Sequence, residues 1–198
     1  MNKRITELSA QIKALEAELR QEIQKIRIRS YEIREQGVQF TEQALAEHRT
    51  RAVHVFQYLR RARLRNVLTV PVIWLCLVPA LFLDLVVSLF QAICFPIYGI
   101  PKVRRKDHIV IDRHYLAYLN IIEKLNCLYC GYFNGLMAYV TEVAGRTEQY
   151  WCPIKHARQL KKAHDRYHRF TEFGDAEGYR GKVADVRRDF SDIENPDK

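Results

Sequence analysis

Residues 66 to 100, NVLTVPVIWLCLVPALFLDLVVSLFQAICFPIYGI, contain one ionisable side chain, Asp84. A helix in water does not need so long an apolar run, and a bilayer core is crossed by about 20 residues of helix, so this stretch predicts a membrane-inserted segment. Cations crowd both flanks, with Arg60, Arg61, Arg63 and Arg65 before it and Lys102, Arg104, Arg105 and Lys106 after it.

Two arrangements of the run stay open. A single span over Val72 to Phe95 would leave one basic cluster on each side, against the positive-inside tendency, and would bring Asp84 near mid-bilayer at about 2.5 to 3.5 kcal/mol. A helical hairpin turning between Pro79 and Asp84 would keep both clusters in the cytoplasm. Against the hairpin, Pro79-Ala80-Leu81-Phe82-Leu83 has no Gly or Asn for a turn. Val78-Pro79 reads equally well as a kink in one helix.

The remaining pieces, residues 1–65 and 101–198, are each too short for a large core. The net charge of +9 points to an anionic partner. Beside a membrane segment, anionic lipid headgroups are the economical choice, at about 1 kcal/mol per juxtamembrane cation. Nucleic acid is the alternative. The N-terminus, MNKRITELSAQIKALEAELR, has no apolar core of a signal peptide.

In the first piece, Ile5, Leu8, Ile12, Leu15, Leu19 and Ile26 recur at steps of three, four and seven, with Glu22 in the remaining slot. This is a heptad seam, and it predicts a coiled coil with a second copy or a partner helix through residues 5–26. An amphipathic helix folded back on its own chain is the alternative. Gly37 interrupts the pattern, and Thr41 is placed to cap a second helix running through Leu59 into the arginines.

In the last piece, Asp112 is placed to cap a helix over residues 113–125. Another helix is expected over 134–146, and a basic one from Pro153 through Arg169. Residues 174–198 read as a loose charged tail. The aromatics Tyr115, Tyr118, Tyr129, Tyr132, Phe133, Tyr139, Tyr150 and Trp151 are expected to build a small core, the alternative being an aromatic face at the headgroup level.

Two constellations bear on chemistry. Cys127-Leu128-Tyr129-Cys130-Gly131 is followed by Cys152-Pro153-Ile154-Lys155-His156. A C-x2-C turn offers two thiolates, and Cys152 as a helix N-cap with His156 one turn on offers two more donors. Cys127, Cys130, Cys152 and His156 thus predict a closed structural zinc site, with iron a lesser fit and unliganded packing cysteines or a redox pair as the alternatives. The second set is His164, His168 and Glu172, four residues apart, read first as a solvated face of the basic helix, with a second metal or acid/base site as the alternative. Gly-rich phosphate loops, nucleophile elbows and dinucleotide fingerprints are not found.

The segments Phe95-Pro96, Tyr98-Gly99-Ile100-Pro101-Lys102, Cys127 to Tyr132 and Trp151 to His156 resemble a family of uncharacterised bacterial inner-membrane proteins with a CxxCG…WCPxxH signature. The resemblance spans residues 66–170 and implies a bacterial inner-membrane setting, with no activity to transfer.

The expectation is therefore a mainly α protein in four parts. Residues 1–65 form a coiled coil and a basic amphipathic helix, 66–100 a membrane helix or hairpin, 101–173 a helical zinc-stapled domain and 174–198 the tail. Its expected role is that of a membrane-anchored, non-enzymatic adaptor with both water-phase parts cytoplasmic. The alternatives are a membrane-associated metalloenzyme acting on a lipid or quinone, and a membrane-held nucleic-acid binder.

Overall fold

A computed structural model describes residues 3–34 and 37–193. The chain is mainly helical with one two-stranded sheet. It divides into two compact units, Met1–Arg61 with Asp112–Cys127, and Ala62–Ile111 with Leu128–Lys198.

The first unit opens with α1 (Lys3–Ser30), followed by the hairpin β1 (Tyr31–Arg34) and β2 (Gly37–Phe40), antiparallel with Tyr31 opposite Phe40. On α1, Leu8, Ile12, Leu15, Leu19 and Ile23 are all exposed. The heptad seam is thus uncovered along this stretch, and the side chains of Ile5 and Ile26 lie outside the described residues. Thr41 caps α2 (Glu42–Thr50), its hydroxyl accepting from Ala44 N at 3.3 Å. The second helix does not run on to the arginines. It stops at Thr50 and resumes as α3 (Val55–Arg61). Aromatic edges hold this unit together, Phe40 against His48 and His48 against Tyr118, each at 4.9 Å between centroids.

In the second unit the apolar run forms α4 (Leu64–Leu75) and α5 (Leu77–Tyr98). Among the described residues, one helical run, Leu64–Tyr98, is long and apolar enough to cross a membrane. The expected hairpin turn between Pro79 and Asp84 is not there, because α5 is helical through that segment. The interruption falls at Cys76 instead. Pro79 has no N–H to give the Leu75 carbonyl four residues back, and the ladder breaks one step before it would be needed. Gly99 ends α5 with φ of 68°, and Ile100 N closes back on Phe95 O at 2.9 Å. This is the left-handed cap that glycine supplies without steric cost.

The helix α6 (Ile121–Trp151) is one element of 31 residues. Asn120 caps it, not Asp112. Asn120 Oδ1 accepts from Ile122 N and Glu123 N at 3.0 and 3.1 Å, and Glu123 Oε2 accepts from Asn120 N at 3.0 Å. This is a reciprocal capping box in the sequence Asn-Ile-Ile-Glu. Residues 113–115 form only a short 3-10 turn.

Helices α5 and α6 run side by side in the same direction. Asp84 meets Tyr132, Gln91 meets Tyr139 and Tyr98 stacks on Tyr150. Between them residues 100–111 return as a strap, broken by one 3-10 turn at Arg105–Asp107. Gly131 and Gly135 open α6 to it. A Cβ on Gly135 would stand 2.7 Å from His108 O and 2.8 Å from Ile109 Cα, and one on Gly131 3.4 Å from Val110 O. This GxxxG spacing lets a second backbone approach the helix closely.

The segment after α6 departs most from expectation. No helix follows Pro153 until a 3-10 turn at Tyr167–Arg169. Ile154 instead pairs with Thr171 as an isolated parallel bridge. The tail is not loose through residue 193. Helix α7 (Ala176–Val186) is capped by Asp175, and Phe190 is buried in the core with Phe95, Leu136, Tyr139 and Val143. Asp192 pairs with the buried Arg166, and Asp189 with the half-buried Arg169. Residues 194–198 lie outside the described residues.

Candidate functional site

The buried face of α5 carries Ala80, Asp84, Gln91 and Phe95, with Ser88 half-buried. The exposed positions are apolar: Val78, Leu81, Phe82, Leu85, Val86, Leu89, Ile93 and Ile97. At 3.6 residues per turn these cover roughly half of the circumference. An outer face that is apolar throughout, with Asp84, Ser88 and Gln91 turned inward beside Ala80 and Phe95, is not the pattern of a helix at home in water.

Asp84 is the centre of the polar stripe. Both of its oxygens are held by the Arg105 guanidinium, Oδ2 by Nη2 at 2.9 Å and Oδ1 by Nη1. Tyr132 Oη donates to Oδ2 at 2.8 Å and Ser88 Oγ to Oδ1 at 3.2 Å. Such a bidentate pair is among the stronger polar contacts in proteins. The carboxylate raises the Arg105 pKa further above its ordinary value, against the opposing effect of burial. Burial, aided by the same carboxylate, pushes the Tyr132 phenol up to about 12. Tyr132 is therefore a protonated donor at neutral pH.

Two helical turns on, Gln91 reads the strap backbone. Gln91 Oε1 accepts from Val103 N at 2.6 Å, while its amide donates to Val103 O at 3.3 Å and Tyr139 Oη at 3.0 Å. Arg105 lies 5.6 Å from the Tyr139 ring centroid. The polar residues of the α5 inner face are thus used to clamp residues 103 and 105. With four donors on one carboxylate, Asp84 serves as a neutralised clamp rather than an exchangeable acid.

A second polar network lies at the far end of α6. Arg146 donates to Glu142 and to the Pro101 carbonyl, each at 2.7 Å. Burial lowers the Arg146 pKa, opposed by Glu142. Arg166, also buried, bonds Gln149 Oε1 at 2.7 Å and Asp192 Oδ2 at 2.8 Å. Arg169 pairs with Asp189 at 2.7 Å. Glu142, Arg146, Arg166 and Asp192 line a polar cavity of about 330 Å³ together with His108, Asp165 and Ile193.

The structure does not bring the zinc set together. Cys127 and Cys130 lie within α6, where Gly131 has no positive φ, while Cys152 follows the helix end. At 1.5 Å per residue, Cys130 and Cys152 are about 33 Å apart along the axis. Donors to one ion must lie within about 2.0 to 2.4 Å of it, so this set does not fit zinc or iron. His156 is exposed, with its ring stacked on Tyr167 at 6.2 Å. The continuous helix is the physical reason: the pair that reads as a metal turn is a stretch of α6 passing the strap.

The set His164, His168 and Glu172 is likewise dispersed. His164 Nε2 lies 2.9 Å from Glu148 Oε2. His168 Nδ1 donates to the Asp165 carbonyl at 2.6 Å, and Glu172 pairs with Lys155 at 2.5 Å. The four-residue spacing had meaning only on a helix, and that helix is absent. Among the described residues, no group of three or more His, Cys, Asp or Glu side chains is placed to hold a metal ion.

Sequence reasoning missed the clamp residues Ser88, Gln91 and Arg105 as a set. The signal available was the spacing Asp84, Ser88, Gln91, which places three polar groups on one face of an apolar helix. Compared with protein-family models, with curated proteins and with solved structures, the chain matches none.

Proposed function

We propose that this chain is a non-enzymatic membrane-surface scaffold. Its α4–α5 face is buried in one leaflet, and both water-phase parts stand on the same, cytoplasmic, side. The observation that carries this reading is α5, apolar over its whole outer face with Asp84, Ser88 and Gln91 turned inward. The strap supports lying in the interface over spanning it. Arg104, Lys106 and Asp107 are exposed beside the level of Asp84, near the middle of the helical run Leu64–Tyr98. A perpendicular span would hold those charges at mid-bilayer. A helix lying in the interface turns Leu81, Phe82, Leu85, Val86 and Leu89 to the acyl chains and the strap to water. Arg60, Arg61, Arg63 and Arg65 then face anionic headgroups in the same leaflet.

The uncovered seam of α1 supports the scaffold part. Ile12 and Ile5 fall at one heptad position and Leu8 and Leu15 at the other, the choice that favours two parallel strands. Parallel pairing suits two copies anchored in one leaflet.

Fractionation tests the anchoring. The full chain is expected to stay with membranes through high salt and alkaline carbonate. Leu85→Lys with Val86→Lys is expected to release it as a folded, helical protein. Complete release of the unmodified chain by salt alone would refute apolar insertion.

A further inference from the structure

A groove of about 420 Å³ runs between α5 and α6. Val87 and Phe90 form one wall, Val140, Val143 and Ala144 the other, and Trp151 with Cys152 stands at the end. The volume falls in the range of about 300 to 1,000 Å³ typical of small-ligand sites. Ala144, Trp151 and Cys152 are exposed, so the groove is open along its length.

Two features indicate the occupant. The first is continuity. Val87 and Phe90 are next to Val86, Leu89 and Ile93, which are exposed on the apolar face of α5. An acyl chain can pass from that face into the groove without crossing a polar surface. The second is charge at the other end. The loop after Cys152 leaves from the groove and comes back at His164, whose ring lies against Gly145 and bonds Glu148. A Cβ on Gly145 would stand 2.8 Å from His164 Nδ1, so the glycine fixes where the loop returns. Between these anchors lie Arg158, Lys161 and Lys162. All three are exposed and unpaired among the described residues, whereas Lys155, Arg166 and Arg169 are engaged by carboxylates. The Glu148 carboxylate at the groove wall faces His164 rather than the loop cations.

We propose that this groove holds an acyl chain of an anionic phospholipid, with the headgroup phosphate met by Arg158, Lys161 and Lys162. The proposal rests on the reading of the α5 outer face as lipid-facing.

The test uses the full chain carrying Trp74→Phe, which leaves Trp151 as the one tryptophan. It is bound to vesicles containing equal mole fractions of either brominated phosphatidylglycerol or brominated phosphatidylcholine. Stronger quenching of Trp151 by the anionic lipid, several-fold at low mole fraction, is the expected result. Ala144→Phe, which fills the groove, should abolish that excess, and Ala144→Ser should keep it. Replacing Arg158, Lys161 and Lys162 by Gln should equalise the two lipids. Equal quenching by both lipids in the starting protein, or an excess that survives Ala144→Phe, overturns the proposal. Sedimentation with the vesicles separates the two levels: a protein that sediments but shows no lipid preference retains the anchoring and loses the groove. A protein that does not sediment loses both.

Discussion

Arg105 grips both carboxylate oxygens of Asp84 across 21 residues of sequence, joining the strap to the middle of the apolar helix. The pair makes the one ionisable group of the apolar run compatible with an apolar setting, and it also fixes the path of the chain after α5. Removing one partner leaves the other charged and unmatched. Asp84→Ala is expected to cost about 1 to 2 kcal/mol, below the figure for a fully buried pair because the Arg105 side chain is 45% exposed. Trypsin should then cut rapidly after Arg104, Arg105 and Lys106. Asp84→Ala with Arg105→Ala together should be less damaging than the sum of the two, which a double-mutant cycle in denaturant would show.

The glycines of α6 give a graded series. Gly135→Ala puts a methyl 2.7 to 2.8 Å from the strap backbone and should destabilise the second unit by about 1 to 3 kcal/mol. Gly131→Ala meets only Val110 O at 3.4 Å and should be mild. Gly181→Ala, in α7 with nothing within 4 Å, should stabilise by about 0.5 to 1 kcal/mol through helix propensity. Denaturant midpoints check the order 181, 131, 135.

Tyr132 titrates late. Its phenol is pushed up to about 12 in the folded chain, against about 10 unfolded. The folded state therefore holds this proton more tightly. The stability it contributes is complete below pH 10 and is lost between pH 10 and 12. The stability of the native chain should fall across that window more than that of Tyr132→Phe. Equal slopes would show that the phenol does not sense Asp84 and burial.

The α1 seam predicts association. A peptide of residues 1–36 should be helical over α1, with helicity that rises with concentration, and Leu15→Asp should abolish the rise. Glu22 occupies a seam position and bonds Lys25 of its own helix at 2.5 Å. Glu22→Leu should therefore strengthen the assembly, as sedimentation equilibrium would measure.

The apolar run, the helical class and the Thr41 cap were legible because each is local: composition, periodicity and one side-chain acceptor decide them. The C-x2-C motif misled for a related reason. Cys127 and Cys130 are also compatible with a helix, and nothing within five residues distinguishes the two. What decides it is the capping box at Asn120 and the strap that Gly131 and Gly135 admit, a contact made over more than 20 residues of sequence. The basic stretch after Pro153 has helical spacing at His164 and His168, yet Arg166 and Arg169 are drawn to Asp192 and Asp189, and those ion pairs outweigh the local pattern. The tail looked unstructured because its charges were counted without their partners.

The lie of α5 in one leaflet is tested most directly by depth. In a background with the five cysteines replaced, spin labels at positions 82, 85 and 89 and at positions 104 and 106 would be compared in vesicles for collision with oxygen, which favours lipid, and with a water-soluble nickel chelate. The expected result is that 82, 85 and 89 collide mainly with oxygen while 104 and 106 collide mainly with nickel. A label at 82 as open to nickel as one at 106 would contradict insertion, and labels at 104 and 106 buried as deeply as 82 would contradict the interfacial lie.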